Sequence, residues 1–126
     1  MQSLDPIPLA AIEAEDPGVI FLPTPNNPTG NKLDAEALRA VIETSPSALT
    51  VIDEAYYELG ESPESMAHLL AEFPNAILVR TFSKAFGLAG ARVGYALAAV
   101  DVAAELNTRQ APLAVATPSA ALVADL

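Results

Sequence analysis

Short apolar segments rich in β-branched residues alternate with segments of helical periodicity along most of this chain, and this alternation limits the possible folds more than any other feature. Alternation of this kind is the order of a mainly parallel sheet with helices on its faces. Strands of such a sheet are typically buried on both faces. We therefore predict an α/β fold, a mainly parallel sheet flanked by helices, with strands at Val19–Leu22, Leu49–Ile52, Ala76–Thr81 and Gly94–Leu97.

The clearest helical pattern follows the first strand and covers Asp34 to Thr44. Asp34 can cap the start of this helix, and the Ser45-Pro46 pair can end it. Its apolar residues fall on one stripe, which predicts a helix packed against the sheet. The stripe consists of Ala37, Leu38, Val41 and Ile42.

Weaker helical patterns follow the later strands. The second predicted helix runs from Pro63 to Phe73, with Ser62 as its cap and Pro74 beyond its end. A third is predicted from Asp101 to about Thr108, and Pro118 could open a fourth.

The chain's 126 residues, about half of them apolar, suffice for one modest core. No repeat, linker or charge block divides residues 1–126. The last pattern is still apolar and alanine-rich where it stops at Leu126, without a capping signal. We therefore expect residues 1–126 to be part of a larger domain.

The chain is strongly acidic, with 16 acidic against 6 basic side chains and a net charge of -10. Such a charge repels nucleic acid and anionic membrane surfaces, so neither is an expected partner. The chain has no cysteine, which excludes disulfides and thiolate metal sites, and we expect no metal. The sequence contains neither a secretory signal pattern nor an apolar run of membrane-spanning length. A cytoplasmic protein is expected.

Polar side chains follow three of the predicted strands, at the edge where ligands bind in open α/β sheets. Each group also has a purely structural explanation. Asn27–Gly30 is a typical turn sequence, Asp53 could cap a following helix, and Ser83-Lys84 could be a solvated loop. The case for a binding site rests on the combination.

Lys84 is one of only two lysines in the sequence. It lies between an apolar strand, of the kind buried inside a sheet, and a loop that contains glycines. A lysine desolvated at such a position can act as an amine nucleophile and form a Schiff base with an aldehyde. Arg92 can bind a phosphate through two hydrogen bonds, and Thr81 and Ser83 add hydroxyl groups. These residues predict a ligand that carries both an aldehyde and a phosphate.

Three further side chains extend this interpretation. A buried carboxylate at a strand end needs a partner, and for Asp53 a protonated pyridine nitrogen is a suitable one. Asn27 and Tyr56 can both form hydrogen bonds with a phenolic oxygen.

At this point the sequence resembles a known family. The strings Pro25–Gly30, Asp53–Tyr56 and Ser83–Tyr95 are similar, in order and spacing, to three signatures of the class I/II aminotransferases of fold type I, which depend on pyridoxal 5'-phosphate. With Arg80–Phe82 before it, the third string is most similar to the histidinol-phosphate aminotransferase branch. The resemblance is strong from Val19 to Tyr95.

The resemblance implies a role for each matching residue. Lys84 would bind the coenzyme as an imine and carry protons during catalysis. The other residues would bind the ring nitrogen (Asp53), the ring's 3-oxygen (Asn27, Tyr56) and the phosphate (Arg92, Ser83, Thr81). No role follows for Tyr57, Glu54 or Arg80, while His68 and Arg109 are expected to be surface or structural residues.

The resemblance also implies the reaction. It indicates transamination between small-molecule amino acid and keto acid substrates. For the favoured branch these substrates are glutamate and imidazole-acetol phosphate. The resemblance also implies that the full-length protein is a homodimer. A phosphate-binding glycine loop, a ring-stacking aromatic residue and a small C-terminal domain belong to the family pattern and are not identified here, so residues 1–126 alone are expected to show little turnover. Aromatic aminotransferases, amino-acid decarboxylases and, less favoured, a non-catalytic effector domain fit the same residues.

Overall fold

The structure of the chain, a computed structural model, describes residues 7–60, 63–124 and 126. These residues contain four strands, four α-helices and three short 3₁₀ helices. The α-helices are α1 (Leu9–Glu15), α2 (Ala35–Thr44), α3 (Val100–Arg109) and α4 (Thr117–Ala124). The strands are β1 (Val19–Pro23), β2 (Leu49–Asp53), β3 (Ala76–Thr81) and β4 (Gly94–Ala98), and the 3₁₀ helices are Tyr57–Leu59, Met66–Ala71 and Ala89–Ala91.

The four strands form one sheet in the order β1-β2-β3-β4. The first three strands are parallel, and β4 runs antiparallel to β3. Pro23 lies beside Asp53, and Asp53 lies beside Val79, so the carboxyl ends of the parallel strands meet at one edge. The predicted mainly parallel α/β fold is confirmed.

Helix α2 forms as its sequence predicts. The side chain of Asp34 accepts a hydrogen bond from the Ala37 N–H at 2.8 Å, which satisfies one of the free donors of the first turn. The helix ends at Ser45, whose N–H still donates to the carbonyl of Val41. Leu38, Val41 and Ile42 are buried against the sheet.

The second predicted helix is shorter than expected and is not an α-helix. A 3₁₀ helix occupies only Met66–Ala71, and its cap is Ser65, whose hydroxyl accepts a hydrogen bond from Ala67 N–H. The helix begins there because the buried Glu54 carboxylate accepts the Met66 N–H, and Pro74 leaves little length for further turns. Ser62, predicted as the cap, lies outside the described residues.

The core occupies the face of the sheet covered by α2 and the Met66–Ala71 helix. Its main group of buried side chains comprises Leu38, Ile52, Met66, Leu69 and Leu78. Burying each large apolar side chain stabilises the fold by about 1.5–3 kcal/mol relative to exposure. The core therefore fixes β2 and β3 firmly at the centre of the sheet.

The expectation that every strand is buried on both faces is wrong for the outer strands. Val19 and Phe21 on β1 are 59% and 58% exposed, and Tyr95 and Leu97 on β4 are also exposed. Because side chains alternate along a strand, Val19 and Phe21 point away from the face that buries Ile20. No helix of the described ranges is both long and apolar enough to span a membrane.

Candidate functional site

The loop after β1 holds Asn27 against the loop after β2. Asn27 Nδ2 donates a hydrogen bond to the hydroxyl oxygen of Tyr56 at 2.9 Å, across 29 residues of sequence. The first loop is itself a closed turn, in which Gly30 N–H donates to the carbonyl of Asn26 at 2.7 Å with a φ of 72° that favours glycine. The turn interpretation and the site interpretation of these residues are therefore compatible.

Lys84 lies above the same tyrosine. Its Nζ is 5.0 Å from the centroid of the Tyr56 ring, a distance typical of a cation–π contact. The lysine is exposed rather than desolvated, so the predicted burial of its amine is not observed in this structure. It lies in a loop at the carboxyl edge of the sheet, and no helix or strand among the described residues buries it. Its amine is accordingly accessible to a ligand.

Asp53 ends β2 at the same edge. One carboxylate oxygen, Oδ1, accepts a hydrogen bond from Ala55 N–H at 2.9 Å, so the side chain forms a local turn rather than capping a long helix. Asp53 is only half-buried, which corrects the expectation of a buried carboxylate. Its backbone carbonyl accepts a hydrogen bond from Thr24 N–H at 2.9 Å, which fixes the loop after β1 to β2.

The predicted phosphate-binding residues are brought together only in part. Thr81 Oγ1 lies 2.9 Å from Ser83 Oγ and accepts the Ser83 N–H at 3.1 Å. Arg92 has a left-handed backbone conformation, is exposed, and donates from Nη1 to the carbonyl of Ala89 at 3.0 Å. Among the described residues, no hydrogen bond links Arg92 to Thr81 or Ser83.

A cleft of about 310 Å³ adjoins Asn27 and Tyr56. Lys32 and Leu59 also line this cleft, and its remaining lining comes from the turn after β1 and from Gly60. Its volume is within the range of small-molecule sites.

The donor set fits pyridoxal 5'-phosphate in chemical terms. An accessible amine lies beside a paired amide and phenol, while a carboxylate and two hydroxyl groups lie at neighbouring strand ends. These groups match an aldehyde, a ring oxygen, a ring nitrogen and a phosphate, respectively. The guanidinium of Arg92 has the right chemistry but lies outside this arrangement.

Sequence reasoning missed one buried ion pair at this edge. Glu54 is 1% exposed, and its Oε2 accepts hydrogen bonds from Arg80 Nε at 2.9 Å and Nη2 at 2.8 Å. Burial, the largest effect, lowers the pKa of Arg80, but hydrogen bonds with Tyr95 and Glu54 outweigh it and leave the pKa raised. The signal in the sequence was an arginine inside an otherwise apolar strand.

His68 and Arg109 are at the surface, as predicted. His68 is exposed, with Nδ1 3.3 Å from the carbonyl oxygen of Ser65. Arg109 pairs with Glu105 one helical turn away, and both side chains are largely exposed.

Comparison with known proteins agrees with this chemistry. The model of the family "Aminotransferase class I and II" matches residues 7–126. A histidinol-phosphate aminotransferase of Psychrobacter arcticus is 49% identical over 108 residues, which are 84% of this chain and 28% of that protein. The chain spans less than a third of the length of the curated relatives it matches.

Solved structures give the same result. The histidinol-phosphate aminotransferase of Sinorhizobium meliloti, in complex with pyridoxal-5'-phosphate, superposes with a TM-score of 0.72 at 38% identity, over 81% of this chain and 28% of that one. A decarboxylase from Sulfurospirillum multivorans has a TM-score of 0.70 at 32% identity, over 80% and 30% of the two chains. Since the family model covers nearly all of the sequence, the chain belongs to the class I and II aminotransferase family.

Proposed function

We propose that this chain is the central part of the large domain of an aminotransferase, and that it binds pyridoxal 5'-phosphate through Lys84. The observation that carries the proposal is the pairing of Asn27 with Tyr56 directly beneath the Lys84 amine. The three side chains come from loops after three different strands. Convergence at the carboxyl edge of a parallel sheet is typical of a binding site.

The roles of the residues follow from their chemistry. Asp53 binds the protonated ring nitrogen, Asn27 and Tyr56 bind the ring's 3-oxygen, and Thr81, Ser83 and Arg92 bind the phosphate. The bound coenzyme supplies an electron sink for the negative charge that develops at the substrate Cα. Lys84 Nζ, once free, removes the Cα proton of the amino acid as a general base.

For the substrates, we propose glutamate and imidazole-acetol phosphate. The support is the similarity to histidinol-phosphate aminotransferases and the string from Arg80 to Tyr95 that this chain shares with that branch. Amino-acid decarboxylation is the second candidate, because a decarboxylase has nearly the same fold at 32% identity.

We also propose that the full-length protein is a cytoplasmic homodimer that binds neither nucleic acid nor membranes. The low content of basic residues supports the last point.

Reductive trapping tests the coenzyme site. The purified chain is mixed with pyridoxal 5'-phosphate, its visible absorbance is recorded, and the adduct is reduced with borohydride and located by mass spectrometry. We expect an adduct on Lys84 that disappears in Lys84→Ala. Lys32→Arg is the matched control, since it removes the chain's other lysine amine and should retain the adduct. Equal labelling of both amines in a folded chain would refute the assignment.

The substrate pair requires the full-length protein loaded with coenzyme. Addition of L-histidinol phosphate should convert the coenzyme to its amino form, and the product solution should contain imidazole-acetol phosphate. Release of carbon dioxide from an amino acid instead would favour the decarboxylase alternative.

A further inference from the structure

The buried pair of Glu54 and Arg80 has no role in the function proposed above. Every described contact of the Glu54 carboxylate is a hydrogen bond with a donor. Oε1 accepts from Met66 N–H at 2.6 Å, while Oε2 accepts from the Ser65 hydroxyl at 3.1 Å and from Arg80. Arg80 also contacts Ser65 Oγ at 2.5 Å. The carboxylate is thereby held in one orientation.

Arg80 is fixed just as firmly. Its guanidinium lies 4.1 Å from the centroid of the Tyr57 ring, and Nη1 donates to the hydroxyl oxygen of Tyr95 at 3.3 Å. Tyr57 follows Tyr56 in sequence, and Tyr95 belongs to β4. One side chain therefore connects β3 with the loop after β2 and with β4.

The pair lies at the same edge of the sheet as the candidate site, but its side chains point to the core face. Because side chains alternate along strands, Arg80 shares the core face with Leu78, whereas its neighbour Thr81 points to the other face. In the same way, Glu54 immediately follows Asp53 at the end of β2. Each member of the ion pair is thus the sequence neighbour of a residue proposed to bind the coenzyme: Asp53 at the end of β2 for Glu54, and Thr81 at the end of β3 for Arg80.

Stability alone does not account for this pair. Removing two charges from water costs several kcal/mol per ion, and apolar replacements of buried ion pairs are often as stable. What an apolar pair lacks is direction: the hydrogen bonds from Arg80 Nε and Nη2 converge on one oxygen, Glu54 Oε2, and together restrict both the distance and the angle between the two side chains. Binding sites require their groups to be held within ~0.5 Å of the working geometry.

We propose that Glu54 and Arg80 are positioning residues that hold the Tyr56 loop and the Lys84 loop in register at the coenzyme site. The inference rests on the proposed function for its biological meaning. Its geometric content, the Tyr56–Lys84 proximity, exists without coenzyme.

The test is an NMR measurement on the 126-residue chain. The nuclear Overhauser effect between the Tyr56 ring protons and the Lys84 Cε protons reports their distance. It is compared in wild type, Arg80→Lys and Arg39→Lys. Arg39 is a matched control, because it also pairs with a glutamate, Glu72, and stacks on a ring, Phe73, but it lies on helix α2 and its ion pair is exposed.

We expect Arg80→Lys to weaken the effect several-fold while the spectrum stays that of a folded chain, and Arg39→Lys to leave it unchanged. Reductive trapping at Lys84 should slow by about tenfold in Arg80→Lys only, equivalent to ~1.4 kcal/mol. A stabilising pair without a positioning role would lower the melting temperature and leave both readouts as in wild type.

Tyr95→Phe covers the case in which Arg80→Lys does not fold. It removes one hydrogen bond to Arg80 from an exposed side chain and should weaken the effect in the same direction. An unchanged effect in every folded variant of this pair overturns the inference. If the wild-type chain shows the nuclear Overhauser effect but forms no Lys84 adduct, the proposed function is refuted. The positioning inference is then decided by the NMR comparison of the variants alone.

Discussion

The Asn27 amide donates to the Tyr56 hydroxyl oxygen at 2.9 Å, and this bond joins the loops after β1 and β2 in the described structure. Tyr56→Phe removes the acceptor but keeps the ring beneath Lys84. Because a hydrogen bond contributes about 0.5–1.5 kcal/mol, we expect coenzyme affinity to fall by up to about tenfold. An absorbance titration measures the dissociation constant, and equal affinities would exclude a role for the hydroxyl.

Asp53→Asn separates the two functions of that side chain. Asparagine keeps an oxygen for the Ala55 N–H, so the local turn should survive, but it removes the charge proposed to bind the ring nitrogen. Affinity for pyridoxal 5'-phosphate should fall about tenfold, or ~1.4 kcal/mol, with an unchanged melting temperature. Asp34→Asn is the control, since asparagine caps a helix as well as aspartate does. Equal losses in both variants would contradict the proposed role.

Thr50 offers a prediction about stability alone. It is fully buried in β2, and within the described residues its hydroxyl has no hydrogen-bond partner. Thr50→Val removes that polar atom at nearly constant shape. We expect the free energy of unfolding to rise by about 1 kcal/mol, measured by urea denaturation. A decrease would mean that the hydroxyl has a partner.

The surface pair of Arg39 and Glu72 predicts a pH dependence. The hydrogen bond from Arg39, the largest effect, lowers the pKa of Glu72 below its ordinary value. A carboxyl group with a lowered folded-state pKa stabilises the fold above its unfolded pKa, about 4.5, and loses that contribution as pH falls through the folded value. The difference in unfolding free energy between wild type and Glu72→Gln should therefore be present at pH 7 and vanish at strongly acidic pH. Because the pair is exposed, it should also shrink in 1 M salt. A difference that stays constant from pH 7 into strong acid would show that the pair has no such role.

Sequence reasoning worked best where local signals determine structure. The bounds of α2 follow from the Asp34 cap and the apolar stripe, both of which lie within the helix or beside it. The parallel strands were recognisable because each is a short apolar run. The residues proposed for the coenzyme follow strand ends, so their common edge could also be inferred, although their individual roles stay predictions.

The rest depended on contacts between distant parts of the chain. The 3₁₀ helix at Met66 begins where it does because Glu54, twelve residues earlier, accepts its first N–H. The sequence contains no local sign of that bond. The exposure of Phe21 and the open position of Lys84 depend on which elements cover the sheet, and alternation along the strand does not determine this.

The antiparallel direction of β4 has a further consequence for Lys84. Thr81 lies beside Gly94, and Phe82 N–H donates to the Val93 carbonyl at 3.1 Å, so the segment between them leaves and re-enters the sheet at one point. Lys84 and Arg92 therefore share a loop that is closed at its base by backbone pairing. A loop closed in this way tolerates insertions, deletions and substitutions at its tip, because β3 and β4 stay paired at its base.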